Sequence, residues 1–340
     1  MSLSSPLWLS VILDDDEELD LMLLTSQHQT LPPTRNQFGF IPRIALLDPH
    51  LSPWVKLYSS VSIGDMIILT GLDYATFNYL AVKFEVLYNK YTPYSGHGRI
   101  KIKPITACYY RPRLLDSRGC LALTLAFLRV RGRHSNLSML FGIGSTVTSL
   151  FVKFGRRLYL RMVRRLSEAQ VRMPSLGDID ICKSRVVQKY PTLVDVWFTM
   201  DGLKLPIEKA TDFEIQQKFY NGWAHGHYIG NVLVFSSDGR IVACSMNNIG
   251  NMHDSEIAVI GGIYAKLDEQ WRMCRGKRVV DSAFHTGAYN QLIKSGQVVP
   301  TNASDLQRLQ QSEATALRQS AEWGMRGFQS SFPRFYDTIP

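Results

Sequence analysis

The stretch VWFTMDGLKLPI, residues 196–207, constrains the fold of this chain more than any other. An unbroken run of apolar and β-branched residues is the pattern of a buried strand, yet this run carries Asp201 followed by Gly202. A buried carboxylate is costly unless a cation, a hydrogen-bond donor or a metal ion compensates it. Glycine, for its part, lets another group approach the backbone closely. The strand must therefore lie where other parts of the chain supply a partner for Asp201.

Downstream, YIGNVLVFSS and RIVACSM read as two more strands, joined at Asp238-Gly239 as a hairpin. SEIAVIGGIYAKLDEQ reads as a helix, KRVVDSAF as a fourth strand, QVVP as a fifth, and SDLQRLQQSEATALRQSAEWGMRGFQ as a long closing helix with Ser304 as its N-cap. The order βββαβαβα is the plan of a ribonuclease-H-like mixed sheet, in which the first and fourth strands are neighbours. That plan predicts Asp201 and Asp281 at one sheet edge, with Glu322 on the final helix brought to the same point. Carboxylates so crowded repel one another unless a cation neutralises them, and oxygen ligands select Mg²⁺ or Mn²⁺. A metal site of this kind performs in-line displacement at phosphorus. Local roles remain open beside it: Asp201-Gly202 as a turn, Asp281 as a cap, and Glu322 as the i±4 partner of Arg318 and Arg326. Asp254 in NMHDSEIA is either a ligand or the N-cap of the helix it precedes, and His253 either polarises a phosphate or water or is structural.

From Leu114 to Leu166 the periodicity turns helical. CLALTLAFLRV, SNLSMLFGI and STVTSLFVKFGRRLYLRMVRR are separated by RGRH and GIGS, the outline of an all-α helix-turn-helix region. The third segment carries Lys153, Arg156, Arg157, Arg161, Arg164 and Arg165 with no acidic residue among them, while Leu150, Phe154, Leu158 and Val163 are placed to face a core. Arg157, Arg161 and Arg164 recur at i, i+4, i+7, so one helical face can offer guanidinium groups to phosphates or guanine edges. The plainer alternative is a solvated basic face.

Composition agrees with an anionic partner: the net charge is +9, which favours nucleic acid first and an acidic membrane surface second. No apolar run approaches the length of a membrane span. MSLSSPLWLSVIL lacks a basic start and runs into DDDEELD, which argues against a secretory signal. The five cysteines are scattered and include no CxxC, so neither a zinc ribbon nor a disulfide framework is expected, and a reducing compartment fits. The 340 residues suggest two or three domains: 1–113 without assigned chemistry, 114–175 as the helix-turn-helix region, and 176–340 as the α/β domain.

In order and spacing, MDGLKLPI, GNMHDSEI, VVDSAF and LRQSAEWGMRGFQSSFPRF resemble the DDE endonuclease domain of Harbinger-type transposases, relatives of bacterial insertion-sequence enzymes. The segment CLALTLAFLRVRGRHSNLSMLFGIGSTVTSLFVKFGRR resembles the helix-turn-helix region that precedes that domain in the same family. The resemblance implies catalytic Asp201, Asp281 and Glu322, with Asp254 joining them as a metal ligand for Mg²⁺ or Mn²⁺, and Arg318 matching a recurrent arginine. Arg318 and Arg326 become candidate DNA contacts on the closing helix. It further implies cleavage and joining of DNA at transposon ends, double-stranded DNA as partner, a Myb-like protein partner, a homo-oligomer on DNA and a nuclear location. Two departures stand out: Met325 and Gln329 replace an aromatic and a lysine, and the chain stops at Pro340 where the family usually continues. They keep alive the alternative of a catalytically inactive, transposase-derived DNA-binding protein. A module whose basic surface meets acidic proteins is the other rival.

Overall fold

The structure is a computed structural model that describes residues 41–96, 99–104, 113–129, 134–284 and 292–333. The acidic patch at 14–19, the LPPTRNQ segment and the end of FPRF lie outside the described residues. Contacts divide the chain into two units, 1–170 with 331–337, and 171–330 with 338–340.

The first unit is mainly helical. Short helices α1 (Pro53–Ser59) and α2 (Ile63–Thr70) lead to α3 (Tyr74–Lys90). Asp73 starts α3 by accepting the Thr76 N–H at 2.7 Å. Its buried Phe77, Leu80, Ala81, Phe84, Leu87 and Tyr88 recur at helical spacing, which gives the helix one apolar face. A hairpin of β1 (Tyr91–Gly96) and β2 (Arg99–Pro104) follows. Then come α4 (Ser117–Arg129), α5 (His134–Phe141) and α6 (Ser145–Val163), close to the three helical segments expected from sequence. Helix α4 is buried on nearly all sides, from Gly119 to Phe127, and α6 buries Phe154, Leu158 and Val163 as expected.

The second unit is built on a mixed sheet. Helix α7 (Leu176–Lys189), capped by Ser175, precedes β3 (Val196–Pro206). An arm of α8 (Phe213–Phe219) and β4 (Tyr220–Asn221) follows, and the sequence had not announced it. Strands β5 (Gly226–Ser236) and β6 (Ile241–Ile249) form the expected hairpin. The expected single helix after them is two, α9 (Asp254–Ile260) and α10 (Ile263–Cys274), because Gly262 turns left-handed at φ 62° between them. Strand β7 (Lys277–Val280), β8 (Leu292–Lys294) and α11 (Asp305–Ser331) complete the unit.

The fifth strand is therefore not QVVP. That segment is irregular, and Val298 is 96% exposed; the chain meets β7 earlier, where Leu292 is buried. Ser304 does cap α11, accepting the Gln307 N–H at 3.3 Å while the Gln307 side chain accepts the Ser304 N–H at 3.0 Å.

In the sheet, β5 lies between β3 and β6, β3 between β5 and β7, and β7 between β3 and β8. Strand β4 pairs only the first residues of β5. The pairings of β3 with β7 and of β7 with β8 are parallel, and those of β5 with β3 and β6 antiparallel. The adjacency of the first and fourth long strands, expected from their order, is present. One sheet face buries Met200, Val232 and Val234 with Ile257 and Ala258 of α9 and Ile263 and Leu267 of α10. On the other face α11 lies so close that a side chain at Gly324 would strike Phe235. Each fully buried large apolar side chain contributes roughly 1.5–3 kcal/mol, so these two layers fix the sheet from both sides. Arg278 of β7 is wholly buried, donates to the Leu267 carbonyl and lies 4.0 Å from Asp268.

Candidate active site

Strand alternation decides where the β3 carboxylate points. Asp201 pairs across the sheet with Leu233, and Thr199, two residues earlier, with Phe235. Successive side chains alternate between faces, so Asp201 shares the face of Phe235, the face that α11 covers. There Arg318 of α11 reaches it, Nη1 to Oδ2, at 3.8 Å, and the same guanidinium holds Glu322 at 2.7 Å. The Asp201 Oδ1 also accepts the Gly202 N–H at 2.9 Å. Arg318 thus ties Asp201 and Glu322 together, and the i+4 pairing of Glu322 with Arg318 exists within that larger arrangement. Arg326 is exposed on the same helix.

Gly202 points to the opposite face. A Cβ there would collide with both carboxylate oxygens of Asp254. The group that needs the glycine is therefore another aspartate, at the first turn of α9. Asp254 is not the N-cap: that position belongs to His253, whose backbone N–H donates to Glu256 at 3.1 Å. Asp254 instead uses the start of the helix, where the macrodipole favours a negative charge, to rest against β3. Lys204, on the same face as Gly202, acts electrostatically on Asp254. Sequence reasoning passed over Lys204, although period-2 spacing from Gly202 was enough to mark it.

Asp281 enters from the neighbouring strand. Met200 pairs with Val280 in the parallel register, so Asp201, inside β3, and Asp281, just past the end of β7, stand at the same level. The region beyond the carboxyl ends of parallel strands is where open α/β sheets place ligands. Asp281 accepts the Ser282 N–H at 2.7 Å. Its charge reaches both other aspartates. Burial, the largest cause, pushes the Asp201 carboxyl up to about 6; the Gly202 N–H and Arg318 oppose it, while Asp281 and Asp254 push further up. Asp254 is raised as well, by burial first, with Asp281 adding and Lys204 and His253 opposing.

Four carboxylates thus occupy one end of the β3–β7 pair: Asp201 and Glu322 on the α11 face, Asp254 on the α9 face, and Asp281 at the strand end. Their all-oxygen chemistry suits a hard divalent cation, and the raised Asp201 pKa reflects chiefly its burial, which the Gly202 N–H and Arg318 do not fully offset. Among the described residues no three His, Cys, Asp or Glu side chains are grouped closely enough to hold an ion. In this arrangement the Arg318 guanidinium is the cation between Asp201 and Glu322.

The basic residues of the first unit are distributed unevenly. Lys153, Arg156 and Arg157 are half-buried along α6, whereas Arg161, Arg164 and Arg165 are exposed at its end. Arg161 lies over the Tyr91 ring at 5.0 Å, and Arg164 is the C-cap. Cations at a helix C-terminus also complement its dipole. The exposed charge is thus concentrated at one end of the helix, with Arg157 contributing less surface than its spacing suggests.

Residues 200–340 match the family model of the DDE superfamily endonucleases. The match opens one residue before Asp201 and contains Asp254, Asp281, Arg318 and Glu322. No curated protein and no solved structure matches the chain.

Proposed function

We propose that this chain is a divalent-metal-dependent DNA endonuclease of the Harbinger transposase type, with a ribonuclease-H-like catalytic domain. The observation that carries the reading is the parallel register of β3 and β7, which brings Asp201 level with Asp281 while α11 delivers Glu322 through Arg318. Asp201, Asp281 and Glu322 would hold Mg²⁺ or Mn²⁺, with Asp254 alongside, once Arg318 gives way between Asp201 and Glu322 and the carboxylates draw closer than they stand. When bound, the metal supplies activation of a water or 3′-hydroxyl and stabilisation of the leaving oxygen.

The chain's own residues account for the rest. The desolvated setting of Asp201 strengthens its hold on any cation brought to it. Arg318 keeps Asp201 and Glu322 from repelling each other, and in a DNA complex it is placed to turn toward a phosphate oxygen. Gly202 gives Asp254 room to approach β3, and Lys204 balances the Asp254 charge.

Duplex DNA is the proposed substrate, bound by the helix-turn-helix region of α4–α6 through Arg161, Arg164 and Arg165, with Lys153, Arg156 and Arg157 behind them. In support, α5 and α6 meet at 93° across a short glycine-containing turn. Action in the nucleus, as a homo-oligomer on two DNA ends with a Myb-like protein partner, completes the proposal.

A second reading is favoured by one observation. Arg318 already pairs with Asp201 and Glu322 from within the chain, as a DNA-binding descendant without catalysis would tolerate. Nicking of supercoiled plasmid DNA in Mn²⁺ separates the two. The nuclease reading expects nicking that chelator and Asp281→Asn abolish; DNA binding without nicking establishes the second reading.

A further inference from the structure

The arm between β3 and β5 plays no part in the carboxylate chemistry, yet it displays the most exposed tryptophan of the chain's described residues. Trp223 is 87% exposed. It stands on a turn that is firmly held: the buried Asn221 side chain donates to the Gly250 carbonyl at 2.7 Å and accepts the Ala224 N–H at 2.9 Å. The Asn251 N–H donates to the Lys218 carbonyl at 3.2 Å, tying the arm to the segment that leads into Asp254. Lys204 Nζ lies over the indole, 5.1 Å from its centroid, and the same lysine acts on Asp254. With an ammonium on one face, the exposure leaves the other open to a planar ligand.

We propose that Trp223 and Lys204 form a stacking platform for an unpaired nucleobase of the DNA strand being cut, a role that rests on the nuclease reading above. Lys204 is three residues beyond Asp201 on β3, about 10 Å along the strand, the span of about three stacked nucleotides. Lys204 points to the Asp254 face of β3, opposite to Asp201, so a strand whose phosphate lies at the Asp281 end of β7 and which continues on the Asp254 face brings a base two or three nucleotides away onto the indole. Base–aromatic stacking is tolerant of sequence, and the neighbouring ammonium faces the phosphate that links successive bases. A protein anchor would instead need a rim of apolar neighbours to exclude water; Gly222 and His225 immediately beside Trp223 are exposed, and the exposed apolar residues of the arm, Phe213, Ile215 and Tyr220, belong to α8 and β4.

The test uses the full chain in chelator, so that no cleavage intervenes, with fluorescein-labelled single-stranded dT₁₀ and a mixed-sequence 20-base-pair duplex read by anisotropy. Trp223→Ala is expected to weaken dT₁₀ binding about five- to hundredfold, Trp223→Phe to restore most of it, and duplex affinity and its salt slope to stay as in the wild type. Wild-type binding of dT₁₀ matched by Trp223→Ala overturns the platform and leaves the nuclease reading standing. Failure of the wild type to bind either DNA overturns both. A Trp223→Ala variant that binds dT₁₀ normally but changes its sedimentation overturns the platform in favour of contact with a second copy of the chain.

Discussion

Replacing Asp201 by asparagine should stabilise the metal-free protein, although it removes a charge that Arg318 contacts. Asparagine keeps the Oδ1 that accepts the Gly202 N–H at 2.9 Å, and Arg318 keeps Glu322 at 2.7 Å. What disappears is the cost of ionising a carboxyl whose pKa is about 6 when folded, against an ordinary 3.8. A shift of roughly two units corresponds to about 3 kcal/mol, since each unit is worth about 1.4. The sign follows from linkage. A raised folded pKa means that the unfolded chain gives up its proton first, so stability falls as pH rises from about 3.8 to about 6 and stays low above it.

The variant should therefore melt higher than wild type at pH 8, by about 5–10 °C for a unit of this size, and the gap should close near pH 4. Melting followed by circular dichroism in chelator at both pH values measures it. A variant that melts below wild type at pH 8 would show that Asp201 is a structural partner of Arg318 rather than a strained carboxylate. A gap of the same size at pH 4 would refute the electrostatic origin. Adding Mg²⁺ supplies an independent check, because an ion that binds only the folded state raises the melting temperature. The rise should be clear in wild type and much smaller in Asp201→Asn.

Gly202→Ala should destabilise the second unit by about 1–3 kcal/mol, read by urea denaturation, because its methyl group meets the Asp254 carboxylate; a neutral outcome would mean that α9 yields freely. Asp254→Asn should reduce metal-dependent nicking less than Asp281→Asn, since Asp254 lies across β3 from Asp201; equal and complete loss in both would make Asp254 a full ligand. Arg161→Ala should weaken duplex binding and reduce the slope of log affinity against log salt by about 1, measured by anisotropy over a salt series. An unchanged slope would place the DNA surface elsewhere.

The part of the site that sequence made legible is the part governed by strand order. Asp201 and Asp281 could be matched because each follows a short apolar run, VWFTM and RVV, that reads as a buried strand, and parallel neighbours follow from the βββαβ succession. The pairing of Glu322 with Arg318 was legible through its i−4 spacing, but not the contact from Arg318 onward to Asp201, which depends on how α11 crosses the sheet. The identity of the group served by Gly202 was hidden because Asp254 is far away in sequence. The local signal at Asp254 suggested a cap, whereas His253 holds that position with Glu256. The arm carrying Trp223 was invisible for a different reason: its seven-residue helix and two-residue strand are too short to leave a periodic trace. In QVVP, two β-branched residues mimicked a strand, but strand propensity is decided by the neighbour that receives it, and β7 is already paired with Leu292–Lys294.

The contact between Gly202 and Asp254 also bears on how such a chain can diverge. The two positions share a single space, so neither is free to drift alone: a side chain gained at 202 requires one to be shortened at 254. Their substitutions should be inherited in pairs, with alanine at 202 accompanied by glycine, alanine or serine at 254. A lineage that made this exchange would lose the carboxylate on the α9 face while leaving Asp201, Asp281 and Glu322 untouched, and would thereby carry out by descent the separation of roles between the two faces of β3.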